Sequence, residues 1–157
     1  MATISRSFTL LESPERIWAV LSDFPRWNRL FAMRDARRRG WGDRFAVRAG
    51  SGAGMQLAMV NAETELFQEW IVDEWTEPSR LRLSSRSCYG SANTHMRSAF
   101  QFDLAPVSSS ETRVQIRFES EFSHPLWSLF LFWVPLRGDL TRVVEKMERG
   151  LADALTS

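Results

Sequence analysis

The side chains with chemical capacity are few and scattered. His95 and His124, a single Cys88 and several carboxylates are what the chain offers to acid–base or nucleophilic chemistry. His95 falls on the polar parity of its segment beside Arg97, and His124 is expected at the start of a closing helix, where it caps the backbone. Neither has a base or nucleophile partner visible in the sequence. A serine–histidine–carboxylate triad can be assembled on paper, but no Gly-X-Ser-X-Gly elbow supports it. Glu119 and Glu121 recur at strand spacing and so face the same way, on the polar side where solvation is their expected role. Asp73 and Glu74, near a turn, are ambiguous in the same manner. Cys88 sits beside Tyr89 with no local group to favour a thiolate, which marks it as structural. One cysteine excludes an internal disulfide and thiolate zinc clusters, and two histidines leave little for a metal site. No catalytic group stands out, and neither metal nor cofactor is expected.

A second set of polar residues is more informative because it interrupts apolar stripes. Arg6, Ser85, Ser87, Thr94, Ser98 and Ser120 share strand parity with aliphatic and aromatic residues. In a solid core each hydroxyl must find a partner or cost roughly 1–3 kcal/mol, whereas in a cavity it meets water or ligand. The pattern therefore favours a pocket, unless several of these residues lie at strand ends in water. Arg6 on an inner face needs a carboxylate or a ligand oxygen. It either anchors an acidic head group or reaches solvent where the strand twists or bulges.

The elements that would position these residues follow from periodicity. Ile4, Phe8 and Leu10 make residues 3–12 a strand with one apolar face. Ser13-Pro14 then supplies an N-cap and a first-turn proline for a helix from Pro14 to about Ser22, with Ile17, Val20 and Leu21 on one side. Pro25 to Phe31 reads as a second short helix presenting Trp27, Leu30 and Phe31. Beyond Asp35 glycines punctuate strands, Phe45 and Val47 alternating with Arg44 and Arg48, and 49–54 forms a flexible hairpin tip. A phosphate loop is excluded there because no Gly-Lys-Ser/Thr follows. Residues 55–60 are open between strand and lid helix. Strands are expected over 66–75 and 80–87, around Met96 to Leu104, and over 114–122, with Pro106 to Glu111 as a polar hairpin loop. Residues 125–155 close the chain as helix, with Leu136, Leu140, Val143, Val144, Met147, Leu151 and Leu155 on one side and Arg137, Arg142, Glu145, Glu148 and Arg149 largely on the other. Pro135 is expected to kink or split it.

A chain of 157 residues with 44% hydrophobic content fits a single domain with a substantial core. Its formal charge of +1 gives no reason to expect nucleic acid. Arg34, Arg37, Arg38 and Arg39 form the one dense basic cluster, read as a solvated rim. The opening residues lack a signal-peptide pattern, so a cytoplasmic location is expected. The apolar run 126–136 is interrupted by Ser128 and Pro135 and is far shorter than the ~20 residues of a membrane span. Trp127, Leu129, Phe130, Phe132 and Trp133 make this run apolar nearly all round, suiting a cavity wall, a homodimer contact or transient membrane docking.

In its order of elements the chain resembles the START-related, birch-pollen-allergen-like superfamily, and within it the bacterial polyketide cyclase and lipid-transport group. The resemblance rests on Leu10 with Ser13-Pro14-Glu15-Arg16-Ile17-Trp18, on Leu21, Asp23 and Trp27, on Gly42-Asp43-Arg44-Phe45, on Asp73 through Leu81, and on the closing helix. It implies an α+β helix-grip fold over residues 1–157, a curved antiparallel sheet wrapped around a long C-terminal helix, with two short helices after the first strand. It also implies a pocket for hydrophobic small molecules, without a catalytic signature to transfer. The expected lining is Arg6, Phe8, Trp27, Phe45, Leu83, Ser85, Ser87, Met96, Ser98, Phe100, Phe118, Ser120, Phe122, Leu129, Phe130 and Trp133. The first functional reading is a carrier or sensor of a lipid-like or polycyclic molecule, as monomer or homodimer. The others are a polyketide cyclase or aromatase-like enzyme, and a protein- or membrane-interaction module using 126–136.

Overall fold

The computed structural model describes residues 2–27, 44–60, 67–89, 96–122 and 133–156. Strand β1 (Ala2–Leu10) leads into α1 (Pro14–Leu21) and a 3-10 turn, Phe24–Arg26. Six strands follow: β2 (Arg44–Ala49), β3 (Gln56–Val60), β4 (Phe67–Thr76), β5 (Arg80–Tyr89), β6 (Met96–Ser108) and β7 (Glu111–Phe122). Helix α2 (Trp133–Thr156) closes the chain. All seven strands form one sheet in the order β1-β7-β6-β5-β4-β3-β2, every neighbouring pair antiparallel. The first strand thus closes against the last, and the expected helix-grip architecture is present.

The capping signal of α1 works as its residues dictate. Ser13 has extended backbone, φ −69° and ψ 152°, and its Oγ accepts from the Arg16 amide at 3.4 Å. Pro14 occupies the first turn and Glu15 lies near the positive end of the helix. Ile17, Trp18, Val20 and Leu21 are buried against the sheet and α2. Each such side chain contributes roughly 1.5–3 kcal/mol through apolar burial. Thr112 ties the entry to this helix, its buried hydroxyl donating to the Glu12 carbonyl at 2.7 Å.

Several boundaries differ from expectation for identifiable reasons. The first strand stops at Leu10, and Leu11 turns its side chain out, 82% exposed. The segment 55–60 is strand from Gln56, paired on both sides by β2 and β4, so sheet context overrides its helix-favouring composition. The Pro106–Glu111 loop shrinks to a tight turn, because β6 continues to Ser108. Pairing with β5 ends at Asp103, so Pro106 sits in a two-stranded extension whose register shifts before Ser108. Pro135 is the third residue of α2 as described, and the residues before Trp133, with which a kink or split would be judged, lie outside the described residues. Of the expected second helix, a 3-10 turn and Trp27 are described, while Leu30, Phe31, the arginine cluster at 34–39 and residues 125–132 lie outside the described residues.

Candidate functional site

Strand pairing sorts the inner face of the sheet into three rows. The first runs Trp75, Leu81, Phe102, Ile116, Arg6. The second runs Val72, Leu83, Phe100, Phe118, Ile4. The third holds Trp70 opposite Ser85 at one end and Ser98 opposite Ser120, then Ala2, at the other. Hydrophobic side chains fill the first two rows apart from Arg6, and the third holds the buried hydroxyls of Ser85 and Ser98.

The end nearest the first row is packed solid. Phe102, Leu81 and Ile116 are fully buried beneath α1, the 3-10 turn and α2, which contributes Val144, Met147, Leu151 and Leu155. Trp27 plugs this end. Its ring centroid lies 5.6 Å from Phe102 and 5.2 Å from Phe24, and its indole N–H donates to the Leu21 carbonyl at 2.9 Å. Phe8 is partly buried against the same core, opposite Val114. Trp18 meets Trp75 edge-on at 5.3 Å, and its indole N–H is buried with no hydrogen-bond partner among the described residues.

Arg6 faces α2 as its parity requires, and carboxylates meet it there. Its guanidinium donates to Glu148 and lies 3.9 Å from Glu145. The side chain is 43% exposed, so the pair sits at the open flank between β1 and α2. Two acidic residues of the helix face expected to be solvated are thereby turned toward the sheet.

The third row is chemically different. The β5–β6 pairing ends at Ser84 opposite Ala99, and Ser85 then substitutes its side chain for backbone. The Ser85 hydroxyl accepts from the Ser98 amide at 2.7 Å and donates to the Ser98 carbonyl at 3.3 Å. Its single proton is used. Ser98 is only 5% exposed, yet its Oγ has no partner among the described residues. Around it the wall is aromatic, with Trp70 stacked near Phe100 at 5.6 Å and Phe118 tilted onto Phe100 at 4.4 Å. Leu83 is fully buried beside them.

The other anticipated lining residues are placed by register. Phe45 lies opposite Met59, Ser87 opposite Glu69, Met96 opposite Phe122 and Ser120 opposite Ser98. Trp133 is the first residue of α2. Leu129, Phe130, Thr94 and both histidines lie outside the described residues. The residue that parity reasoning missed is Trp70. Register shifts between Glu69 and Trp70 and between Val72 and Glu74 put residues 70, 72 and 75 all on the inner face. The uneven spacing of these three apolar residues was the available signal.

On the outer face, charged side chains bind one another. Arg82 donates to Gln101 at 3.0 Å and to Glu119 at 3.1 Å, Gln101 donates to Asp103 at 2.8 Å, and Arg80 donates to Asp103 at 2.6 Å. The hydrogen bond and charge of Asp103 push the Arg80 pKa up. Glu119 is thus a member of a lateral network, and Glu74 accepts from the Thr76 hydroxyl at 3.2 Å.

This architecture recurs in solved structures at low sequence identity. A START superfamily protein from Mycobacterium smegmatis is 15% identical, with a TM-score of 0.69 and 98% of each chain covered. A protein from Thermus thermophilus is 18% identical, with a TM-score of 0.71, covering 99% of this chain and 100% of that one. Norcoclaurine synthase from Thalictrum flavum, solved in complex with dopamine and hydroxybenzaldehyde, is 14% identical, with a TM-score of 0.64, covering 99% and 86%. No family model and no curated protein matches the sequence. The likeness establishes a START-related, birch-pollen-allergen-like fold. No helix among the described residues is long and apolar enough to cross a membrane.

Proposed function

We propose that the chain binds a hydrophobic small molecule, lipid-like or polycyclic, in an internal cavity between the sheet and α2, and acts as its carrier or sensor. The observation that carries this reading is the buried, unpartnered Ser98 hydroxyl within an aromatic wall. A native interior leaves few such groups, because each costs roughly 1–3 kcal/mol unless another molecule satisfies it. Trp70, Phe100 and Phe118 beside it are themselves buried and make its surroundings apolar, and burial of a ligand against apolar surface contributes about 25 cal/mol per Å². A plant enzyme of the same fold solved with two small aromatic molecules is in keeping with such a pocket.

The cyclase reading asks for an acid or base facing the ligand. Among the described residues of the three inner rows the ionisable group is Arg6, already engaged by Glu148 and Glu145. Binding alone requires no such group, and it is the reading adopted. Titration with phenylnaphthylamine, a neutral dye that fluoresces in apolar surroundings, tests it. The dye should bind saturably at one site, and Ser120→Leu, opposite Ser98 in register, should weaken binding several-fold without changing the fold. A titration with no saturable signal would contradict the proposal.

A further inference from the structure

The two outer strands of the sheet are built differently. Strand β2 is six residues long, its register with β3 shifts between Val47 and Ala49, it carries Arg44 and Arg48, and the 3-10 turn packs against it. Short length, a bulge, charge and a covering segment are devices that stop an outer strand from pairing with another chain. Strand β1 lacks the first three. It runs nine residues in unbroken register with β7, contains no proline, glycine or lysine, and turns its one charged residue, Arg6, toward α2. Helix α2 packs on it, yet Thr3, Ser5, Ser7 and Thr9 are exposed and Ile4, Phe8 and Leu10 are only partly buried.

The residues of β1 are also symmetric in character about Arg6. Outward from it they run Ser5 and Ser7, Ile4 and Phe8, Thr3 and Thr9, Ala2 and Leu10. We infer that β1 is the contact between two copies of this chain, paired antiparallel about a two-fold axis at Arg6, so that the two sheets join into one. In that register Ser5 faces the partner's Ser7, Thr3 the partner's Thr9 and Ile4 the partner's Phe8. Hydroxyl pairs and aromatic–β-branched pairs are among the favourable cross-strand combinations. All nine residues take part, with on the order of eight to ten new backbone hydrogen bonds. A slip by two residues shortens the overlap and sets Arg6 against an apolar side chain.

The charges fit the same axis. Arg6 meets the partner's Arg6 there, and two guanidinium groups alone would repel. Each brings two carboxylates: Glu148 accepts from it, and Glu145 lies 3.9 Å away and is 38% exposed. Four carboxylates thus accompany two guanidinium groups, and Glu145 has capacity for the partner's Arg6. A peptide from another protein could match the backbone but not this symmetry, so a second copy is the occupant. One strand pair with its flanking side chains falls at or below the roughly 1,200–2,000 Å² of standard interfaces, so the dimer is reversible.

Sedimentation velocity of the full chain from about 5 to about 500 µM tests the inference, a range that brackets a micromolar dissociation constant. The mass should rise with concentration toward twice that of one chain. Ser5→Lys with Ser7→Lys sets like charges opposite each other across the axis, whereas Ser5→Glu with Ser7→Lys sets opposite charges there. The second double variant should dimerise about tenfold or more tighter than the first, and high salt should narrow the difference. Amide exchange in β1 should slow at the high end of the range, which tests the wild-type chain without any substitution. A chain that stays monomeric throughout, or a dimer that both double variants leave unchanged, would overturn the inference. A reversed order of the two variants would overturn the register at Arg6.

Discussion

Ser85 and Ser98 bring the same hydroxyl into the same wall, and hydrogen bonding separates them. Ser85 completes the pairing of β5 with β6, so Ser85→Ala strips a partner from both the amide and the carbonyl of Ser98. Urea unfolding should show a loss of about 1–3 kcal/mol. Ser98→Ala removes a group with no partner among the described residues, so the ligand-free protein should be unchanged or slightly more stable. A loss as large as that of Ser85→Ala would mean that the Ser98 hydroxyl is satisfied within the protein. Arg6 gives a third case. Its ion pair is substantially exposed, so Arg6→Gln should cost less than about 1 kcal/mol in the same assay, with the effect fading at high salt. That the inner face carries hydroxyls and one guanidinium was legible from strand parity alone. Which hydroxyl is satisfied was not, because that depends on where β5 and β6 stop pairing, and no residue type announces it.

At the scale of elements, the packed end of the grip and the hydroxyl-lined end answer to different interactions. Leu151 on α2 is fully buried in the cluster that joins α1 and the sheet, so Leu151→Ala should cost about 2–5 kcal/mol in thermal or urea unfolding. The β2–β3 tip is held by backbone. The Gly54 amide donates to the Val72 carbonyl at 2.8 Å with φ at +86°, so Gly54→Ala should cost about 1–2 kcal/mol through the left-handed backbone alone. Most elements were legible in the sequence: the N-capped α1, the alternation of β5, β6 and β7, and the helical spacing of α2. The exceptions have physical causes. The β4 register shifts break the period of two, which hid Trp70. The β6–β7 hairpin carries Pro106 where pairing has fallen to two strands, so a proline that reads as a loop is tolerated inside a strand.

For the whole molecule, the fold argues for a division of labour across the inner face. One end is closed by Trp27, Phe24 and α2 over the fully buried Leu81, Phe102 and Ile116. The other presents the aromatic and hydroxyl row that we assign to a ligand. A ligand that binds only the folded state at a hundredfold excess over its Kd adds about 2.7 kcal/mol, so occupancy should be visible as a rise in Tm. The most direct test of the central claim is native mass spectrometry of the protein purified from its own host without organic extraction. A bound apolar molecule at one per chain, released on denaturation, is the predicted result. A spectrum containing only the bare chain mass, before and after addition of dodecanol, would contradict the account.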